Sequence, residues 1–191
     1  MDKKVEYTSQ DCVETDISCS INGKVIVLKH ETLPVKEQNQ LYFCLCGNGA
    51  GANPKGFVLF LTSLNTGEFS LKRRDEVVGI LKPEFLPDKA KLMLSQIRPV
   101  GALDIKSHEP QYSGYCFLPD GRYTCGVWLC SLKEVQDYIE MQKDYQHKIM
   151  ICDRDDLCVF EMVEGKVIYP TQEILDAYPN GQEPGGMEQK L

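Results

Sequence analysis

The chain has 191 residues, 42% hydrophobic and 26% charged, with a formal net charge of −7, an ordinary globular composition. No run approaches the roughly 20 consecutive apolar residues of a membrane helix. The N-terminal MDKKVEYTSQDCVETD lacks the apolar stretch of an export signal, so a cytoplasmic protein with no membrane partner is expected. Residues 1–98 hold 13 Lys and Arg against 12 Asp and Glu, and residues 99–191 hold 8 against 16. The acidic second half argues against phosphate-backbone binding, so no nucleic-acid partner is expected, and it leaves room for a basic protein partner.

Residues 1–15 are polar and aperiodic, which predicts a flexible terminus. In Asp16–His30 the Asn22-Gly23 dipeptide separates two β-prone runs and predicts a hairpin with a type I′ turn. Strands are expected at 41–46 and 57–63, joined by a glycine-rich loop at 47–56, and then at 68–74 after a turn ending in Gly67. A short strand at 77–81 ends at Pro83. Pro87-Asp88 opens a helix, DKAKLMLSQIR, with Ala90, Leu94 and Ile97 on one face and Pro99 as its stop. These elements form a β-rich subdomain at 16–98.

A polar connector, 105–111, leads to a second subdomain at 112–178. Tyr112–Leu118 and Arg122–Leu129 form a hairpin about Pro119-Asp120-Gly121. Ser131-x-x-Glu134 is a capping box, opening a helix whose apolar stripe is Leu132, Val135, Tyr138, Ile139 and Gln142. Strands are expected at 147–152, 157–163 and 166–169, then a short helix near 173–178 and a flexible tail at 179–191. The fold class is α+β, mainly antiparallel sheet built from hairpins with two main helices.

The densest local signal is Leu41–Leu61, where Gly47, Gly49, Gly51 and Gly56 crowd one loop. Glycine at that density answers backbone geometry or close approach, and loops held on rigid strands often bind ligands. A dinucleotide fingerprint requires passage from strand directly into helix. Here the loop leads into FVLFLTSL, a strand, and no GK[ST] follows. The loop is therefore a wide hairpin connection, or a contact surface with Asn48, Asn53 and Lys55 as its polar groups.

Nine cysteines, in a chain expected to be cytoplasmic, read as free thiols acting as small buried hydrophobes. Cys44-x-Cys46 would share a strand face and Cys125-x4-Cys130 would not. No CxxC pair exists, and the histidines at 30, 108 and 147 are remote from the cysteines, so structural zinc has no spacing signature. No catalytic residue, metal ligand or cofactor is assigned. A Cys/His site assembled from distant strands, enzymatic or metal-binding, is the alternative. Asp153–Asp156 lacks the glycine and distal glutamate of a calcium loop and reads as a charged turn. Lys72-Arg73-Arg74 reads as a solvated strand end. Tyr112, Tyr115, Phe117, Tyr123 and Trp128 could form a stacking surface, but with few basic residues nearby they read as core.

Three segments, YFCLCGNGAGANPKG (42–56), GRYTCGVWLC (121–130) and MICDRDDLCVFEMVEGKVIYP (150–170), carry a resemblance to uncharacterised small proteins of mobile elements and genomes of Gram-positive gut bacteria. Its motifs carry no known activity, so it implies a cytoplasmic accessory protein and assigns no site residues. The expected function is a non-enzymatic binding or regulatory protein, acting through protein or small-molecule contacts at the glycine loop.

Overall fold

A computed structural model describes residues 6–15, 19–33, 40–47, 58–99 and 109–170. The expected sites Asn48, Asn53 and Lys55, the short helix near 173–178 and the tail at 179–191 lie outside the described residues. The fold is α+β, with two antiparallel sheets and two α-helices among the described residues.

The first sheet comprises β1 (Cys12–Val13), β2 (Val25–Leu28), β3 (Leu41–Gly47), β4 (Val58–Ser63), β5 (Phe69–Arg73) and β6 (Val77–Leu81), in the order β1-β6-β2-β3-β4-β5. Period-two alternation gives its inner strands two apolar faces. Val25, Val27, Leu41 and Phe43 meet helix α1 (Asp88–Leu94), while Ile26, Leu28, Tyr42 and Cys44 join Leu59 and Leu61 in a separate buried cluster. The second sheet comprises β7 (Tyr112–Phe117), β8 (Val127–Leu129), β9 (Lys148–Cys152), β10 (Cys158–Val163) and β11 (Lys166–Tyr169), in the order β11-β10-β9-β7-β8. Helix α2 (Leu132–Gln142) covers one of its faces through Val135 and Tyr138.

Several local expectations are corrected. Of the N-terminal stretch expected to be flexible, residues 6–15 form a capped turn at Ser9–Asp11 followed by β1, which pairs with β6. Asn22-Gly23 is not a hairpin turn, because β2 pairs with β3 and β6 rather than with the residues before the turn. Only Gly23 has positive φ, 72°, as in a type II turn. Nothing lies within 4 Å of a Cβ placed on Gly23, so the cost of a side chain there is backbone strain alone. Gly23→Val is expected to destabilise by roughly 1–3 kcal/mol and Asn22→Val by clearly less, as read from urea midpoints. Equal costs would restore the type I′ assignment.

Helix α1 ends at Leu94, five residues before the proline expected to stop it. The amides of Gln96 and Ile97 reach back only three residues, to Met93 and Leu94. Side chains from the second half of the chain add donors to the carbonyls at this end. Tyr138 Oη donates to Ser95 O (2.8 Å), Gln142 Nε2 to Leu94 O (2.9 Å) and Gln146 Nε2 to Lys91 O (3.0 Å). Tyr145 joins the core of the first sheet and accepts from Val25 N at 3.0 Å.

The capping box is half formed. Ser131 Oγ accepts from Glu134 N at 3.2 Å, but the Glu134 carboxylate turns to Cys130 N (3.1 Å) and to Arg98 Nη2 (2.8 Å). Leu132, placed on the apolar stripe by its spacing, is exposed at the first position of α2. Arg74, expected at a solvated strand end, is buried and donates to Thr15 Oγ1 at 2.9 Å.

Candidate functional site

Strand β7 decides which side of the second sheet is open. Its sequence, YSGYCF, places Gly114 and Cys116 on one face and Ser113, Tyr115 and Phe117 on the other. The small residues face α2: a Cβ on Gly114 would lie 2.7 Å from the Tyr138 ring, and Cys116 Sγ sits 3.3 Å from Tyr138 Oη. The large residues consequently face away from α2. Tyr112 does pack against the helix-side core, but the expectation of core packing fails for the rest of the aromatic set. Trp128 is 64% exposed and Tyr123 56%. Tyr123 tilts onto Phe117 with ring centroids 4.9 Å apart and meets Tyr115 edge-on at 6.3 Å. Tyr115 is seated on Gly126, where a Cβ would meet its ring at 2.7 Å.

Register assembles this open face from four strands. Trp128 of β8 lies opposite Ser113 of β7, which lies opposite Cys152 of β9, which lies opposite Cys158 of β10. Above the first part of that row is a cleft of about 470 Å³. Trp128, Tyr112 and Tyr115 line its aromatic side, and Glu109, Asp153 and Asp156 its acidic side. The acidic side is shaped by a turn. Asp153 Oδ1 accepts from Asp155 N (3.0 Å) and Leu157 N (2.9 Å), and Asp156 closes the turn at φ 62°. Arg154 projects from the same turn and is ion-paired with Glu109. Burial raises the Cys152 thiol above its ordinary range, and the neighbouring Cys158, Asp156 and Asp153 push it further in the same direction. Farther along the face, Lys148 is paired with Glu161 at 2.7 Å and sits 5.4 Å from the Phe117 ring centre.

Two other cavities are comparable in size. One of about 450 Å³ lies where the two halves meet, beside Gly23 and Met141, and its charged lining is partly paired within itself through Lys133 and Asp137. The other, about 340 Å³, lies between Leu45, Met93 and Ile97. It adjoins an exposed apolar strip on edge strand β5 and its neighbour β4, where Phe60 faces Leu71 and Thr62 faces Phe69. That strip begins directly after the glycine loop. Gly47 at the loop's start has φ 132°, and a Cβ there would meet Val58 O at 2.6 Å, so this glycine does answer close backbone approach.

The cysteine and histidine alternative gains no geometry among the described residues, where no group of three or more His, Cys, Asp or Glu is arranged to hold a metal ion. All nine cysteines are unpaired. A bulge separates Cys44 from Cys46. Burial pushes the Cys12 thiol up to about 11, and those of Cys44 and Cys116 up to about 12. Such thiols stay protonated at neutral pH and are poor nucleophiles. His147 Nδ1 lies 3.5 Å from Glu164 Oε1, and His108 lies outside the described residues. No helix among the described residues is long and apolar enough to cross a membrane. Comparison with protein-family models, with curated protein sequences and with solved structures yields no match.

Proposed function

We propose that this is a non-enzymatic binding protein whose described contact surface is the open face of the second sheet, centred on the Trp128 cleft. One observation carries the reading: Trp128 stands more than half exposed in a cleft that also presents polar side chains, and Tyr123, also more than half exposed, extends the aromatic face through Tyr115 and Phe117. Aromatic side chains with that exposure contribute large contact area at low entropic cost, and they recur at binding sites. A concave site with apolar walls and a few convergent polar groups is the usual form of a ligand pocket. The glycine loop, with Asn48, Asn53 and Lys55, is the second proposed contact region.

Photo-crosslinking in source cells tests this. Benzoylphenylalanine is installed in place of Trp128, of Asn53, or of the exposed Lys133 on α2. A discrete crosslinked species from position 128, absent from position 133, is the expected result. Crosslinks from position 53 alone would move the contact surface to the glycine loop. None from either would remove the binding reading.

A further inference from the structure

Building on the reading of the Trp128 cleft as a contact site, we infer that it accepts an arginine side chain from a basic segment of a partner polypeptide. The floor, the wall and the rim each point to a planar cationic donor. At the floor, Ser113 is 4% exposed, lines the cleft, and its hydroxyl has no hydrogen-bond partner among the described residues. The residue is packed but its oxygen is not sealed off, and it lies on the cleft side between Trp128 and Cys152. It is placed to accept from an N–H entering from solvent.

The wall is Trp128 with Tyr115 behind it, and indole is the aromatic surface that cations favour most. The rim carries Glu109, Asp153 and Asp156 against Arg154 among the described residues. Arg154 is occupied by Glu109. Asp153 uses only Oδ1 in its turn, and Asp156 has no ion-pair partner among the described residues. Two carboxylates are therefore left facing a cleft whose described cation is already engaged. A guanidinium fits this arrangement better than an ammonium, because its plane can stack on the indole while its forked N–H groups reach the hydroxyl and a carboxylate together. The described charges at the cleft itself, three carboxylates against one guanidinium, favour the approach of a basic segment.

Trp128 is the chain's only tryptophan, so its emission reports the cleft directly. The full-length protein is titrated with a glycine-flanked arginine peptide, with the citrulline peptide of the same shape but no charge, and with the lysine peptide. The arginine peptide is expected to change Trp128 emission saturably, with an affinity about tenfold above that of the citrulline peptide, and above that of the lysine peptide. Added salt should weaken it. Ser113→Ala and Asp156→Asn, each checked for an unchanged melting curve, should each weaken it about threefold or more. Asparagine is chosen at 156 because it tolerates the left-handed backbone there. Equal binding of the arginine and citrulline peptides overturns the selection for a cation, as does the absence of a saturable change with any peptide. Unchanged affinity in both variants overturns the assigned contacts. None of these outcomes bears on whether position 128 crosslinks to a partner, so the failure of this inference and the failure of the contact surface read out separately.

Discussion

Tyr138→Ala is expected to destabilise the protein by about 3–5 kcal/mol, and Tyr138→Phe by about 1 kcal/mol. Tyr138 is fully buried where α2, β7 and the end of α1 meet. Its ring fills the space left by Gly114, and its hydroxyl satisfies Ser95 O at 2.8 Å. Truncation removes both, leaving a cavity and an unsatisfied carbonyl, whereas phenylalanine keeps the ring. The pairing with Gly114 supplies an internal control. Gly114→Ala alone drives a Cβ to 2.7 Å from the ring and should destabilise. In the Tyr138→Ala background the same change fills vacated space and should cost less or recover stability. Urea unfolding of the four proteins closes the cycle. Additive costs would mean that ring and glycine do not pack as described.

Alkaline pH is expected to unfold the protein well before its cysteines and tyrosines finish titrating. Burial lifts Cys44 and Cys116 from an ordinary 9.0 to about 12, and Tyr145 from 10.0 to about 12. Burial is also the largest cause of the rise at Tyr138, with Cys116 adding to it. In each case the folded state holds its proton more tightly than the unfolded chain. Below about pH 9 both states are protonated and these groups give no pH dependence. Above it the unfolded chain releases protons that the folded state retains, so stability falls as pH rises towards 12. The urea midpoint should be nearly level between about pH 7 and 8.5 and drop steeply by about pH 10.5. Cys44→Ala should make that drop shallower. A midpoint unchanged at the higher pH would contradict the burial of these groups.

The strands were legible from the sequence because their signals are local. Runs such as Tyr42-Phe43-Cys44 and Ile149-Met150-Ile151 sit between turns marked by Gly67, Gly121 and Gly165, each with positive φ. Errors arose where distant residues decide. The end of α1 is set by Tyr138, Gln142 and Gln146, more than 40 residues away, and no spacing within DKAKLMLSQIR encodes that. Arg74 is buried because Thr15 reaches it from the N-terminal stretch. The Trp128 cleft depends on the register of β8, β7 and β9, which a linear reading cannot align. One signal could have found it. The alternation of small Gly114 and Cys116 with large Tyr115 and Phe117 says that the helix packs on the small side and the rings face out. The glycine-loop residues Asn48, Asn53 and Lys55 stay a proposal on sequence grounds, since they lie outside the described residues.

The seam between the halves also has a temporal meaning. Val25 N finds its partner in Tyr145 and Ser95 O in Tyr138, while Lys91 O and Leu94 O, which already accept from Ser95 N and Ile97 N, take second donors from Gln146 and Gln142. During synthesis Val25 N and Ser95 O therefore emerge before the tyrosines that satisfy them, and burying them early would be costly. These buried contacts of the first half are expected to be completed only once residues 138–146 have emerged.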